Sequence, residues 1–149
     1  MNKYETLLSE YPEVDVEERH MINKGLYCDG YIWIKSDMTA TEKACILAEE
    51  LGHHETSMGN ILDQRDYANA KQELAARGWA YHKLVPLSAI KDAYQKGHEE
   101  SYDMSEYLNV DEQFLKDSIS YYTDKYGDIW QEEENACLMK AISKLKGLE

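Results

Sequence analysis

Acidic residues and histidines that could bind a metal and move a proton are concentrated between positions 49 and 55. If residues 40–54 form one helix, Glu49 and His53 lie four residues apart on one face, and Glu50 lies one step around the helix beside them. A carboxylate and an imidazole at this spacing can both coordinate zinc, and a neighbouring glutamate can take a proton from water. We therefore predict Glu49 and His53 as metal ligands and Glu50 as a general base.

The pattern is the H-E-x-x-H motif of zinc peptidases with a glutamate in place of the first histidine. A carboxylate ligand brings a negative charge that an imidazole does not. Two carboxylates and one histidine would neutralise Zn²⁺ and make it a weaker Lewis acid. We therefore expect Glu49 to preserve metal binding and to leave the pKa of the bound water higher than a histidine ligand would.

Two alternatives compete with this interpretation. A shifted register, with Glu50 and His54 as ligands, would put Leu51 in the position of the base. The acids and histidines could also be the solvated face of an amphipathic helix, as in most isolated matches to the pattern. However, the preceding run at 44–48 is apolar on all sides, which is typical of a buried helix, and buried carboxylates require a cation. The run favours the metal site.

The composition restricts the possible partners. The chain has 149 residues and a formal net charge of -13, and its 16 basic residues form no long run. Because a nucleic-acid-binding surface needs clustered Lys and Arg, we predict no nucleic-acid partner. The three cysteines, Cys28, Cys45 and Cys137, are odd in number and far apart, so we predict neither a disulfide framework nor a C-x-x-C zinc site.

The location is predicted from the apolar windows of the sequence. None is long enough for a transmembrane helix, and the first residues lack the apolar core of a signal peptide. We expect a cytoplasmic protein with no membrane partner. The sequence does not predict the oligomeric state.

A β-hairpin is predicted ahead of the site helix. Two β-rich runs, at 26–28 and 31–35, flank the dipeptide Asp29-Gly30, which is the sequence form of a tight hairpin. Residues 2–10 have the apolar spacing of a short helix, and the alternation around Val14–Val16 hints at a further strand. The expected sheet is small and antiparallel.

Two helices should carry the site. Thr39 and Thr41 are both suitable N-caps for the first of them. Residues 55–70 are predicted to form a loop, because glycine and short polar residues break the helical pattern. The second helix is predicted over 71–84, and it ends before Pro86.

Three stretches carry a family resemblance: C-I-L-A-E-E-L-G-H-H at 45–54, Q-E-L-A-A-R-G-W-A at 72–80 and L-V-P at 84–86. They resemble the ImmA/IrrE family of metallopeptidases, especially its short phage-encoded members. In that family a glutamate about 20 residues after the metal helix is the third zinc ligand, and Glu73 stands in its place. Glu49 and Arg77 depart from the family pattern; Arg77 could form an ordinary exposed pair with Glu73.

The resemblance implies an α+β, mostly helical, zincin-like fold and a Zn²⁺-dependent endopeptidase. Its protein substrate would be a helix-turn-helix repressor of a phage or mobile element, whose cleavage releases the repressed genes. The rival interpretation is a regulatory protein that keeps the fold and binds the repressor, or another protein, without cleaving it. An enzyme needs three ligands and an open position for water, whereas a binding protein needs neither.

The C-terminal third is predicted to be a helical extension. We expect a metallopeptidase core over 1–97 and a unit over 98–149 packed on it. Residues 104–115 follow a helix, tight turn, helix pattern, and a last helix is predicted over 131–148. Eight acidic residues and only two lysines lie between 99 and 126, so DNA phosphates would be repelled.

Overall fold

The computed structural model of the chain describes residues 2–56, 66–127 and 136–145. Within these ranges the chain is mostly helical and has one small sheet, which confirms the predicted α+β class. The strands are β1 (Asp15–Arg19), β2 (Gly25–Cys28) and β3 (Tyr31–Lys35). The helices are α1 (Lys3–Glu10), α2 (Ala40–Thr56), α3 (Asp66–Leu84), α4 (Leu87–Gln95), α5 (Ser101–Leu108), α6 (Glu112–Tyr126) and α7 (Ala136–Leu145).

The predicted hairpin is confirmed. β2 and β3 pair antiparallel, with Cys28 opposite Tyr31 and Gly25 opposite Ile34. The turn residue Asp29 has φ 47° and Gly30 has φ 86°. Two successive residues with positive φ are typical of the type I′ turn that Asp-Gly favours, since it matches the twist of the strands.

The sequence predicted an antiparallel sheet, but the sheet is mixed. Its strand order is β1-β3-β2, and β1 runs parallel to β3 from the Asp15–Tyr31 pair to the Arg19–Lys35 pair. A backbone hydrogen bond from the Asp15 N–H to the Gly30 carbonyl, 2.9 Å long, fixes the start of this pairing. The prediction was wrong here because the direction of β1 depends on a partner that is distant in sequence.

Thr39 is the N-cap of α2. Its Oγ1 accepts a hydrogen bond from the Glu42 N–H at 3.1 Å and lies 3.2 Å from Glu42 Oε1, which is a form of capping box. One face of α2 is buried and contacts β2 and β3, where Ile32 and Ile34 are fully buried. The apolar run of the sequence therefore forms a core helix, as predicted.

α3 begins earlier than expected. The predicted loop over 55–70 contains the last two residues of α2 and the first turn of α3, and its residues 57–65 lie outside the described ranges. The polar composition of this segment concealed the helix start. α2 and α3 approach closely at Gly52: a Cβ added there would lie 2.2 Å from the Ala76 carbonyl oxygen.

By its contacts the chain divides into two compact units, Met1–Lys83 and Leu84–Glu149. In the second, α4 contacts α5 and α7, and the buried Tyr122 hydroxyl donates to the Val85 carbonyl at 2.8 Å. α5 ends at Asn109 in the left-handed conformation, φ 55°, and α6 follows, so the predicted helix, turn, helix pattern is present. The domain boundary after residue 97 stays a prediction.

The last predicted helix is described as α7, and the remainder of its predicted span lies outside the described ranges. Across the described part of the chain, none of the helices has the length and apolarity needed to cross a bilayer.

Candidate metal centre

Two of the predicted ligands meet between α2 and α3. His53, in the last turn of α2, has its Nε2 3.1 Å from Oε2 of Glu73 on α3. The His53 side chain is three-quarters buried, whereas Glu73 is more exposed. Gly52 allows the two helices to come this close, because any side chain there would collide with the α3 backbone at Ala76.

The second carboxylate oxygen of Glu73 contacts Arg77. Arg77, one turn later on α3, places its Nε 3.5 Å from Oε1 of Glu73, so the two carboxylate oxygens face different partners. Both side chains of this pair are substantially exposed, and such a pair contributes little to stability. Its effect is to orient the carboxylate, with Oε2 directed toward His53. This is the i, i+4 pair predicted from the sequence.

Glu50 is half-buried and lies close enough to Glu49 and Glu73 for their charges to act on it. Burial raises its pKa to about 7, and the negative charges of Glu49 and Glu73 add to the increase. β2 lies against the same side chain: a Cβ added at Gly25 would be 3.1 Å from the Glu50 Cγ. A carboxyl group with a pKa near neutrality is well matched to accepting and returning a proton at pH 7.

The donors at this place suit a divalent cation. Glu49 is half-buried, and its charge acts on Glu50 together with that of Glu73. Carboxylates gathered in a partly buried site repel one another, and a bound cation would relieve that repulsion. Carboxylate oxygens and an imidazole nitrogen are ordinary zinc donors. Glu49, His53 and Glu73 as a complete ligand set, and Glu50 as base, stay a prediction.

A second group of donors lies around the neighbouring histidine. Glu13, His54 and Glu55 each place a ligand atom within 4.8 Å of the others, and in the described part of the chain no other group of three does so. His54 Nδ1 is 3.0 Å from the Tyr27 hydroxyl, and its Nε2 is 3.9 Å from Glu13 Oε1. The two adjacent histidines therefore face different neighbours.

Sequence reasoning did not find this second group. Glu13 precedes β1 and Tyr27 lies in β2, so no spacing along the chain links either residue to His54. Glu13 and Glu55 are exposed, and exposed acids often lie close together without an ion. The group is thus the alternative metal site that any measurement of metal content has to separate from the first.

The family model described as Peptidase_M78, IrrE N-terminal-like domain, matches residues 9–120. The match covers more than half of the chain and includes every residue of both donor groups. No curated protein and no solved structure matches the chain.

Proposed function

Since the chain belongs to the Peptidase_M78 family of IrrE N-terminal-like domains, we propose that it is a zinc-dependent endopeptidase. Family membership supports a metallopeptidase function, a divalent metal and a protein substrate. The observation that carries the proposal is the contact of His53 with Glu73 next to Glu50, whose pKa is raised to about 7.

In this proposal Glu49, His53 and Glu73 hold the zinc ion. When bound, zinc supplies Lewis acidity toward the scissile carbonyl and toward water. The protein contributes the donors: α2 carries Glu49 and His53 one turn apart, and α3 carries Glu73, whose Oε2 lies 3.1 Å from His53 Nε2.

Glu50 is the proposed general base. It would take a proton from the attacking water and return it to the amide nitrogen that leaves. In the metal-free protein its pKa is raised to about 7, a range in which a carboxyl group can both accept and return a proton near neutral pH.

β2 is the proposed guide for the substrate backbone. It is an edge strand of the sheet, and Gly25 in it lies against Glu50. An extended peptide that paired with this edge would run past the base, since strand addition uses the backbone groups an edge strand exposes. A helix-free stretch of the substrate would therefore be cut most readily.

The proposed substrate is a helix-turn-helix repressor of a phage or mobile element. The support for it is the resemblance of residues 45–86 to short phage-encoded members of the family. Because such a repressor acts on DNA, we propose the cytoplasm as the location.

A second candidate function is regulation by binding alone. The observation that favours it is Glu49, a carboxylate where the standard motif has a histidine. A protein that binds the repressor without cleaving it could tolerate this change at no cost.

Metal content of purified variants tests the site. We expect His53→Ala and Glu73→Ala to lose bound zinc while far-UV circular dichroism stays close to that of the wild type. The matched control is the neighbouring His54→Ala, which should retain the metal. Loss of zinc in His54→Ala with retention in His53→Ala would move the site to the second group.

Cleavage of a purified helix-turn-helix repressor from the same phage or mobile element tests the reaction. Glu50→Gln preserves the shape of the side chain and removes the base, so it should keep zinc and lose cleavage. Zinc-loaded wild-type protein that binds the repressor and leaves it intact would favour the regulatory function instead.

A further inference from the structure

The sheet has an exposed aromatic face. Ile32 and Ile34 of β3 are fully buried on the side that contacts α2, so the alternate residues of the strand point the other way. Tyr31 is 59% exposed and Trp33 is 39% exposed, and both line a groove of about 710 Å³ over the sheet. Exposed aromatic patches of this kind often mark interaction sites.

The strand register arranges this face in two similar rows. Each row has a carboxylate from β1, an aromatic ring from β3 and an apolar or weakly polar side chain from β2. The rows are Asp15–Tyr31–Cys28 and Glu17–Trp33–Leu26. The same combination of acid and ring therefore recurs two residues apart, which is about 7 Å along the strand.

One row already holds a cation. The Arg19 guanidinium lies 4.1 Å from the Trp33 ring centroid, and its Nη2 is 3.2 Å from Oε2 of Glu17. In the other row, Asp15 has no ion-pair partner among the described residues, and none of their cations lies over the Tyr31 ring. The occupied row shows which group suits the second: a guanidinium stacked on the ring and paired with the carboxylate.

We propose that this outer face of the sheet docks a protein partner that presents an arginine next to an apolar side chain. The arginine would lie over Tyr31 against Asp15, and the apolar side chain would pack on Leu26 and Trp33. Charge complementarity favours this occupant over a second copy of the chain, whose net charge of -13 is of the same sign. The face is separate from Glu50 and His53, so docking would occur whether or not the partner is cleaved.

Binding of a short labelled peptide to the full chain tests the proposal. The probe is fluorescein-labelled Gly-Arg-Ser-Leu-Ser-Arg-Gly, in which arginine and leucine share one side of an extended chain. Fluorescence anisotropy gives its Kd. The reference peptide has serine in place of leucine and the same charge, and we expect it to bind several-fold more weakly.

Variants of the face should separate docking from general attraction to an acidic protein. Asp15→Asn with Tyr31→Ala should weaken binding of the arginine–leucine peptide by about tenfold, whereas Tyr31→Phe, which keeps the ring, should leave Kd within about twofold. The matched control is Glu106→Gln with Tyr102→Ala on α5, which removes one charge and one exposed ring elsewhere. We expect it to bind as the wild type does.

Three results would overturn the proposal: equal loss of affinity in the two double variants, equal affinity for the two peptides, or a dimer in sedimentation experiments that Asp15→Asn dissociates. Asp15→Asn alone, with about a threefold loss expected, keeps the test valid if Tyr31→Ala impairs folding. The binding assay requires neither zinc nor Glu50, so its failure and a failure of the peptidase proposal are read separately.

Discussion

At Glu49 a single side chain decides between the two proposed functions. Imidazole suits zinc better than a carboxylate does, so Glu49→His is expected to raise zinc affinity. It also removes a negative charge next to Glu50, which should lower the pKa of that carboxyl group from about 7. Because a histidine ligand leaves Zn²⁺ a stronger Lewis acid than a carboxylate does, we expect faster repressor cleavage at neutral pH, measured together with zinc affinity in a chelator competition.

If the wild type cleaves the repressor and Glu49→His cleaves it more slowly, the glutamate is a working ligand suited to this site. Glu50→Gln, made in both backgrounds, is the control for cleavage by a contaminating protease. Binding of the repressor by both proteins with no cleavage would favour the regulatory function.

Gly52 acts through the absence of a side chain, which allows α2 and α3 to approach each other closely. Alanine improves helix propensity by about 1 kcal/mol, which predicts a more stable protein. A Cβ at this position would lie 2.2 Å from the Ala76 carbonyl oxygen, so α3 would have to shift. We expect Gly52→Ala to lower the free energy of unfolding by about 1–3 kcal/mol, measured by urea denaturation of the metal-free protein. A raised urea midpoint would show that α3 can shift with little loss of stability.

The residues of the proposed site were predicted from helical spacing where they share one helix, and from the family resemblance where they do not. Glu49, Glu50 and His53 follow a spacing that α2 alone explains. Glu73 was predicted as a ligand only through the family resemblance, and the close approach of Gly52 to Ala76 was not predicted. Contacts between helices depend on how they pack, which the spacing within either helix does not contain.

Among the secondary-structure elements, Glu18 links three: α1, β1 and α2. The carboxylate of this β1 residue receives a hydrogen bond from the Tyr4 hydroxyl of α1 at 3.0 Å and pairs with Lys43 Nζ of α2 at 2.7 Å. The hydrogen bond from Lys43 holds the pKa of Glu18 below its ordinary value of 4.5, and the Tyr4 hydroxyl adds to this. The ionised form is thus favoured by folding.

A depressed carboxyl pKa gives a definite sign to the pH dependence of stability. The contribution of Glu18 is present above pH 4.5 and is lost as the pH falls through its lowered folded-state pKa. Glu18→Gln should therefore lower the melting temperature by a few degrees at pH 7, and the difference should shrink in acid. Its neighbour Glu17→Gln, on the other face of β1, is the control with little expected change. A difference that is constant with pH would point to packing instead.

The elements differ in how far local sequence determines them. Asp29-Gly30 specifies its hairpin by turn chemistry, and Thr39 specifies the start of α2 by capping, so both were predicted. β1 was only hinted at, because most of its residues are exposed and its direction is set by β3. The start of α3 at Asp66 was missed, since tertiary packing can stabilise a helix with few apolar residues in its first turns.

At the scale of the whole molecule, charge determines which partners are accessible. The helix, turn, helix arrangement of α5 and α6 resembles a DNA-binding motif, but residues 99–126 carry eight acidic residues and two lysines. We expect no binding to duplex DNA in a gel-shift assay even at about 10 mM salt, where screening is weakest. DNA binding that disappears with added salt would contradict this assignment.

The strand order β1-β3-β2 also has a consequence for the timing of folding. The hairpin of β2 and β3 closes through two residues and can form in about 1–10 μs. β1 has no partner until β3 exists, because it pairs with the far side of that strand. During translation β1 is therefore synthesised before β2 and β3 but can join the sheet only once β3 has been made. In a chain halted before residue 31, β1 would have no strand to pair with.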